Sequence, residues 1–126
     1  MLKDMERALK AAGDGTRLRI LKMLEQGALC VCQVVEALKL SQSTVSKHLS
    51  VLEAARLVDS ERRGRWTYYR LARPTSAEGR RLLSLLKCSC REDPQVVRDL
   101  GKLSGEKVRA LVPCCPPRHA DKRGGP

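Results

Sequence analysis

Between Ser41 and Leu71 the hydrophobic period of the chain changes once and abruptly, and that change limits the folds open to it. In LSQSTVSKHLSVLEAARLV, Val45, Leu49 and Leu52 recur at i, i+4 and i+7, the buried face of a helix over about 42–55. The opposite face carries Ser43, Thr44, Ser46, Lys47 and Ser50, with no acid until Glu53. A solvated helix face usually mixes charges of both signs; this small, polar, basic one is suited to approach an acidic surface closely. From 57 to 71 the stretch LVDSERRGRWTYYRL reads as two short strands, the second rich in aromatic and β-branched residues. Gly64 supplies the turn, and Arg62, Arg63 and Arg65 crowd its tip.

Upstream the pattern is helical. Leu2, Met5, Leu9 and Ala12 mark a first helix over 2–12. Asp14 can cap a second over 16–26, with Gly27 suited to its C-terminal end. A third is expected over 31–39 with Val34, Val35 and Leu38 inward. A turn at Leu40-Ser41 comes next, and Ser41 can cap the fourth helix. Helix, short turn, helix and basic hairpin make a winged helix-turn-helix: a mainly α fold with one β-hairpin, whose second helix enters a DNA major groove by its N-terminal residues. The candidate DNA contacts are therefore Ser41, Gln42, Ser43, Thr44, Ser46, Lys47 and His48 on the helix, and Arg62, Arg63 and Arg65 on the wing. Beside Lys47, His48 suits a DNA or packing role better than metal ligation. Trp66, Tyr68 and Tyr69 read as hairpin packing.

Downstream, Ser76 can cap a fifth helix to about Lys87, where Leu82, Leu83, Leu85 and Leu86 form a face too apolar for solvent. Asp93-Pro94 opens a sixth with Val97, Leu100 and Leu103 at helical spacing, ending near Ser104. The segmentation is thus a DNA-binding core over 1–74, C-terminal packing or dimerisation helices over 75–111, and a tail over 112–126 too polar and Pro-rich to pack, expected to be mobile. A net charge of +11, spread along the chain, favours a nucleic-acid partner over a membrane surface. No apolar run approaches the ~18 residues of a membrane span. The N-terminus lacks the apolar centre of a signal peptide, so a cytoplasmic location is expected.

Six cysteines fall in three close pairs: Cys30/Cys32, Cys88/Cys90 and Cys114/Cys115. In a reducing compartment such pairs indicate soft-metal or thiol chemistry rather than a disulfide framework. Cys30 falls at the expected N-cap of the third helix and Cys32 in its first turn, where a helix terminus favours thiolate. On a regular helix a step of two residues turns by about 200°, which would point the two sulfurs apart. Capture of one ion by both is therefore expected to unwind that first turn and shift the recognition helix behind it.

The segments DGTRLRIL, CVCQVVEALKLSQSTVSKHLSVLEAARLV and RRGRWTYYRL together resemble the ArsR/SmtB family of bacterial metalloregulatory repressors over roughly residues 5–73. Leu-Cys-Val-Cys is similar to the thiolate motif of its arsenic- and antimony-responsive branch. The resemblance implies a homodimer, formed through the terminal helices, that binds an inverted-repeat operator. It implies no constitutive cofactor, and release of DNA when As(III) or Sb(III) binds Cys30 and Cys32 as inducer. Two positions depart from the pattern. Arg56 stands where the family usually has Gly, and Val35 where the arsenic branch often has a third Cys. The missing sulfur implies a two-thiolate site or a distant third ligand from Cys88, Cys90, Cys114 or Cys115. The zinc-responsive site of the fifth helix is absent, because residues 75–91 hold neither His nor Asp.

The alternative within this fold is a redox- or persulfide-sensing repressor that pairs an early with a late cysteine. An enzyme is not expected: there is no Cys-x-x-Cys motif and no βαβ pattern for a thiol oxidoreductase. A structural zinc site built from two Cys-x-Cys pairs would make folding depend on the metal.

Overall fold

The computed structural model describes residues 2–73 and 77–105. Six helices and three strands are arranged in the order α1 (Leu2–Ala12), α2 (Gly15–Leu24), β1 (Leu29–Cys30), α3 (Val31–Leu38), α4 (Gln42–Ala54), β2 (Val58–Arg63), β3 (Trp66–Leu71), α5 (Ala77–Cys88) and α6 (Pro94–Leu103). Val45, Leu49 and Leu52 are fully buried, as their spacing requires, against Ile20, Leu21, Met23 and Val34. The core is aliphatic throughout, and Leu82, Leu83, Leu86, Leu100 and Leu103 bring α5 and α6 onto it.

The caps are those the residue types dictate. Asp14 accepts from the Arg17 backbone N–H at 3.1 Å, and that hydrogen bond holds its carboxyl below the ordinary carboxylate range. Ser41 accepts from Thr44 N at 3.2 Å, and Asp93 from Gln95 N at 2.8 Å with Pro94 at the first helical position. Beyond α4, Leu57 N donates to Leu52 O at 3.0 Å and Arg56 N to Glu53 O at 2.9 Å, a Schellman end. It forces Arg56 to φ 63°, the left-handed region that glycine usually occupies.

Two charged ties join α2 to the C-terminal helices. Arg19 on α2 donates twice to the fully buried Asp99 on α6, at 2.8 and 2.9 Å. Lys22, also buried, donates to Leu86 O and Ser89 O at 2.7 Å each and pairs with Glu25 at 3.1 Å. It thereby caps the C-terminal end of α5.

The sheet differs from the expected hairpin. It has three strands in the order β1-β3-β2, all antiparallel. β2 and β3 pair from Val58↔Leu71 to Arg63↔Trp66 around Gly64, whose φ is +61°. The added strand is the two-residue Leu29–Cys30, paired with Tyr69 and Tyr68. Cys30 thus ends a strand while serving as the expected N-cap of α3, which begins at Val31. Pro74, Ser76, Cys114, Cys115 and the proposed tail over 112–126 lie outside the described residues.

Candidate nucleic-acid interface and thiol site

The start of α4 presents a tight group of exposed hydroxyls. Ser41 Oγ donates to Thr44 Oγ1 at 2.8 Å and lies 3.2 Å from Ser43 Oγ. Gln42 and Lys47 are exposed beside them, and Ser46 is half-buried. Short hydroxyl side chains let the backbone approach a phosphate or base edge, and Lys47 adds charge. His48 is placed differently: it is half-buried, with Nδ1 3.2 Å from Arg17 Nη1. Arg17 donates its Nε to Ala11 O at 2.6 Å and Nη2 to Lys10 O at 3.3 Å, closing the end of α1. One guanidinium thus fixes α1 and α4 to α2. This positioning residue was not among the expected site residues, since its partners lie on two other helices.

On the wing the three arginines part company. Arg62 is exposed, with Nε donating to Gly64 O at 3.2 Å across the turn, and Arg65 is exposed beside it. Arg63 is folded back: its side chain pairs with Glu61 at 3.2 Å and its guanidinium lies 5.6 Å from the Tyr68 ring centroid. Arg70 reaches the same carboxylate at 3.3 Å. The hydrogen bond from Arg63, reinforced by the charges of Arg63 and Arg70, holds the Glu61 carboxyl below its usual value. At the root of the wing Ser60 Oγ donates to Glu53 on α4 at 2.6 Å.

The first thiol pair lies where β1 meets α3. Cys30 is the N-cap of α3, in an extended conformation (φ −86°, ψ 162°), and only 1% exposed. Its backbone N–H donates to Gln33 Oε1 at 3.0 Å, while its sulfur faces the Gln33 backbone N–H, a capping box with sulfur in place of a hydroxyl. Cys30, Ala28 and Tyr68 form a small buried cluster apart from the main core, and Cys32 and Trp66 pack on it. Because the chain bends from strand to helix at Cys30, the helical rotation that would separate the sulfurs does not apply. Both border one cluster with the first turn of α3 intact.

The second pair, Cys88 and Cys90, is exposed at the end of α5, with Cys90 at φ 62°. Among the described residues no three His, Cys, Asp or Glu side chains converge as metal ligands. In this structure Cys88 and Cys90 are not gathered into such a group with Cys30 and Cys32. The described residues also contain no helix long and apolar enough to cross a membrane.

A family model described as the bacterial regulatory protein arsR family matches residues 14–60. The chain is 48% identical over 61 residues to an uncharacterized HTH-type transcriptional regulator of Methanocaldococcus jannaschii, covering 48% of this chain and 68% of that one. To the arsenical resistance operon repressor of Escherichia coli K12 it is 34% identical over 95 residues, covering 74% of this chain and 81% of the repressor. Among solved structures, the homodimeric winged helix-turn-helix DNA-binding domain of a possible ArsR-family regulator from Mycobacterium bovis superposes with a TM-score of 0.60 at 34% identity. That match covers 68% of this chain and 77% of the other.

Proposed function

The chain belongs to the arsR family of bacterial regulatory proteins and is a transcriptional repressor of that family; from that premise we propose that it binds an inverted-repeat operator as a homodimer and releases it when trivalent arsenic or antimony is captured by Cys30 and Cys32. The observation that carries this reading is the junction of β1 and α3, where both cysteines border one cluster immediately before the helix-turn-helix. Names of relatives support the inducer: the Escherichia coli protein is an arsenical resistance operon repressor, as is a Bacillus subtilis relative 38% identical over 72 residues. In the proposed step two thiols replace two hydroxides of arsenous acid, with loss of two waters. The product is a dithiolate that keeps one arsenic–hydroxyl bond, in accord with the absent third cysteine at Val35.

The DNA surface is assigned to Ser41, Gln42, Ser43, Thr44 and Lys47, with Ser46 and His48 behind them, and to Arg62 and Arg65 at the wing tip. Arg63 joins this set on leaving Tyr68. The dimer is assigned to the terminal helices: Leu2 and Leu9 on α1 and Leu85 on α5 are exposed, and the two helices pack together.

Anisotropy of a labelled promoter duplex, titrated with arsenite, zinc and a persulfide donor, tests the function. Arsenite alone should release DNA at low concentration. The Cys30→Ser, Cys32→Ser double variant should keep its DNA affinity and lose the response; if it still releases normally, these thiols are not the ligands. A second reading, thiol oxidation or persulfide formation as the signal, is favoured by the exposure of Cys88 and Cys90. It requires release by the persulfide donor and loss of that release in the Cys88→Ser, Cys90→Ser variant.

A further inference from the structure

Beyond the ligands themselves, the thiol site has a wall made by the wing. Cys30 is the register partner of Tyr68, through a strand of two residues. Tyr68 is 1% exposed, and its ring carries the Arg63 guanidinium. Trp66, the register partner of Arg63, packs on the same cluster as Cys32. The sheet therefore runs without a gap from the sulfur of Cys30 to the arginines of the hairpin tip. α4 is reached from Cys30 through the body of α3 and the turn at Lys39–Ser41, and it meets the wing at its root, where Ser60 Oγ donates to Glu53.

Resting on the reading of Cys30 and Cys32 as metalloid ligands, we propose that the wing is the element through which the bound ion weakens DNA binding, with Tyr68 as the positioning residue between sulfur and Arg63. The physical reason is space. The cluster is closed around Cys30, so arsenic on its sulfur cannot be added without displacing a neighbour. Its neighbours are the capping backbone of α3, held by Gln33, and the Tyr68 ring on a three-stranded sheet joined to β1 by only two residues. Tyr68 is the easier of these to move, and β2–β3 moves with it as one paired unit. A displaced Tyr68 takes the seat from beneath Arg63 and turns the tip carrying Arg62 and Arg65. Arsenic then favours a wing geometry that DNA does not, and DNA must weaken arsenic binding by the same factor.

Trp66 is the only tryptophan, so it reports the site directly. Arsenite added to the intact protein should change Trp66 emission and saturate at one arsenic per protomer, and the Cys30→Ser, Cys32→Ser variant should give no change. Hydrogen exchange on the same samples should rise over 58–71 with α4 unchanged. The ratio of DNA dissociation constants with and without arsenite, of order 5- to 150-fold for such couplings, should fall below about fivefold in Tyr68→Leu and be kept in Tyr68→Phe. Arg63→Leu lies outside the core and should lower the ratio in the same way, whatever its effect on DNA affinity alone. Unchanged ratios in Tyr68→Leu and Arg63→Leu, or exchange rising in α4 with 58–71 silent, overturn the proposal. A double-cysteine variant that still responds to arsenite would instead overturn the ligand assignment on which it rests.

Discussion

Arg56 is the residue where local cost and tertiary need are most openly opposed. A side chain at φ 63° costs about 1–2 kcal/mol relative to the right-handed region, whereas glycine gives back part of that through the entropy of its unfolded chain. Arg56→Gly is therefore expected to raise stability by about 1 kcal/mol, read as a higher urea midpoint with unchanged slope. Asp99 is the opposite case. It is buried and held by two hydrogen bonds from Arg19 and a third from Gln95 at 3.0 Å. Asp99→Ala strands a largely buried guanidinium and should cost about 3 kcal/mol, the low end for breaking a buried pair because Arg19 keeps some solvent. The same denaturant titration measures it, and a loss below about 1 kcal/mol would show that the pair behaves as a surface ion pair. Arg17 acts on function through position. Arg17→Met removes the link from α1 to His48, so DNA affinity should fall several-fold while arsenite still changes Trp66 emission.

At the scale of elements, the wing is held by two arginines gathered on one carboxylate. Glu61 is depressed by Arg63 and Arg70, so its contribution is complete above the ordinary carboxylate pKa and is lost as pH falls through its lower folded value. Trp66 emission should accordingly shift in acid below the usual glutamate range, and Glu61→Gln should remove that transition. If the variant titrates as the natural protein does, the pairing around Glu61 does not set the wing. The terminal helices are the proposed seat of the association. Leu85 is 62% exposed on a helix that packs on α1, and Leu9 on α1 is exposed as well. A charge there meets no penalty in a monomer and a large one in a dimer interface. Leu85→Glu should give a monomer by sedimentation, with the fold kept and operator affinity lost. A dimer that persists would move the interface elsewhere.

For the whole molecule the net charge of +11 favours DNA binding that weakens as salt rises. Each phosphate contact removed should reduce the slope of log affinity against log salt by about 0.9. Arg62→Ala with Arg65→Ala should lower it by up to about twice that without changing preference among operator sequences; an unchanged slope would place the tip off the backbone. Much of this molecule was legible in its sequence, for a definite reason. Helical periods, the caps at Asp14, Ser41 and Asp93, the turn at Gly64 and the Cys30/Cys32 spacing are local, and local geometry acts on residues a few positions apart. The strand at Leu29–Cys30 was not legible, because two residues have no period. Nor were the seat of Arg63 on Tyr68, the Arg17–His48 contact or the Lys22 cap, whose partners are distant in the chain. The order of residues alone dictates that two thiols precede a helix-turn-helix. That those thiols face the wing belongs to the assembled fold. It arises because β1 pairs with β3, Cys30 with Tyr68, and so distant a pairing is settled by packing and not by any pattern within either segment.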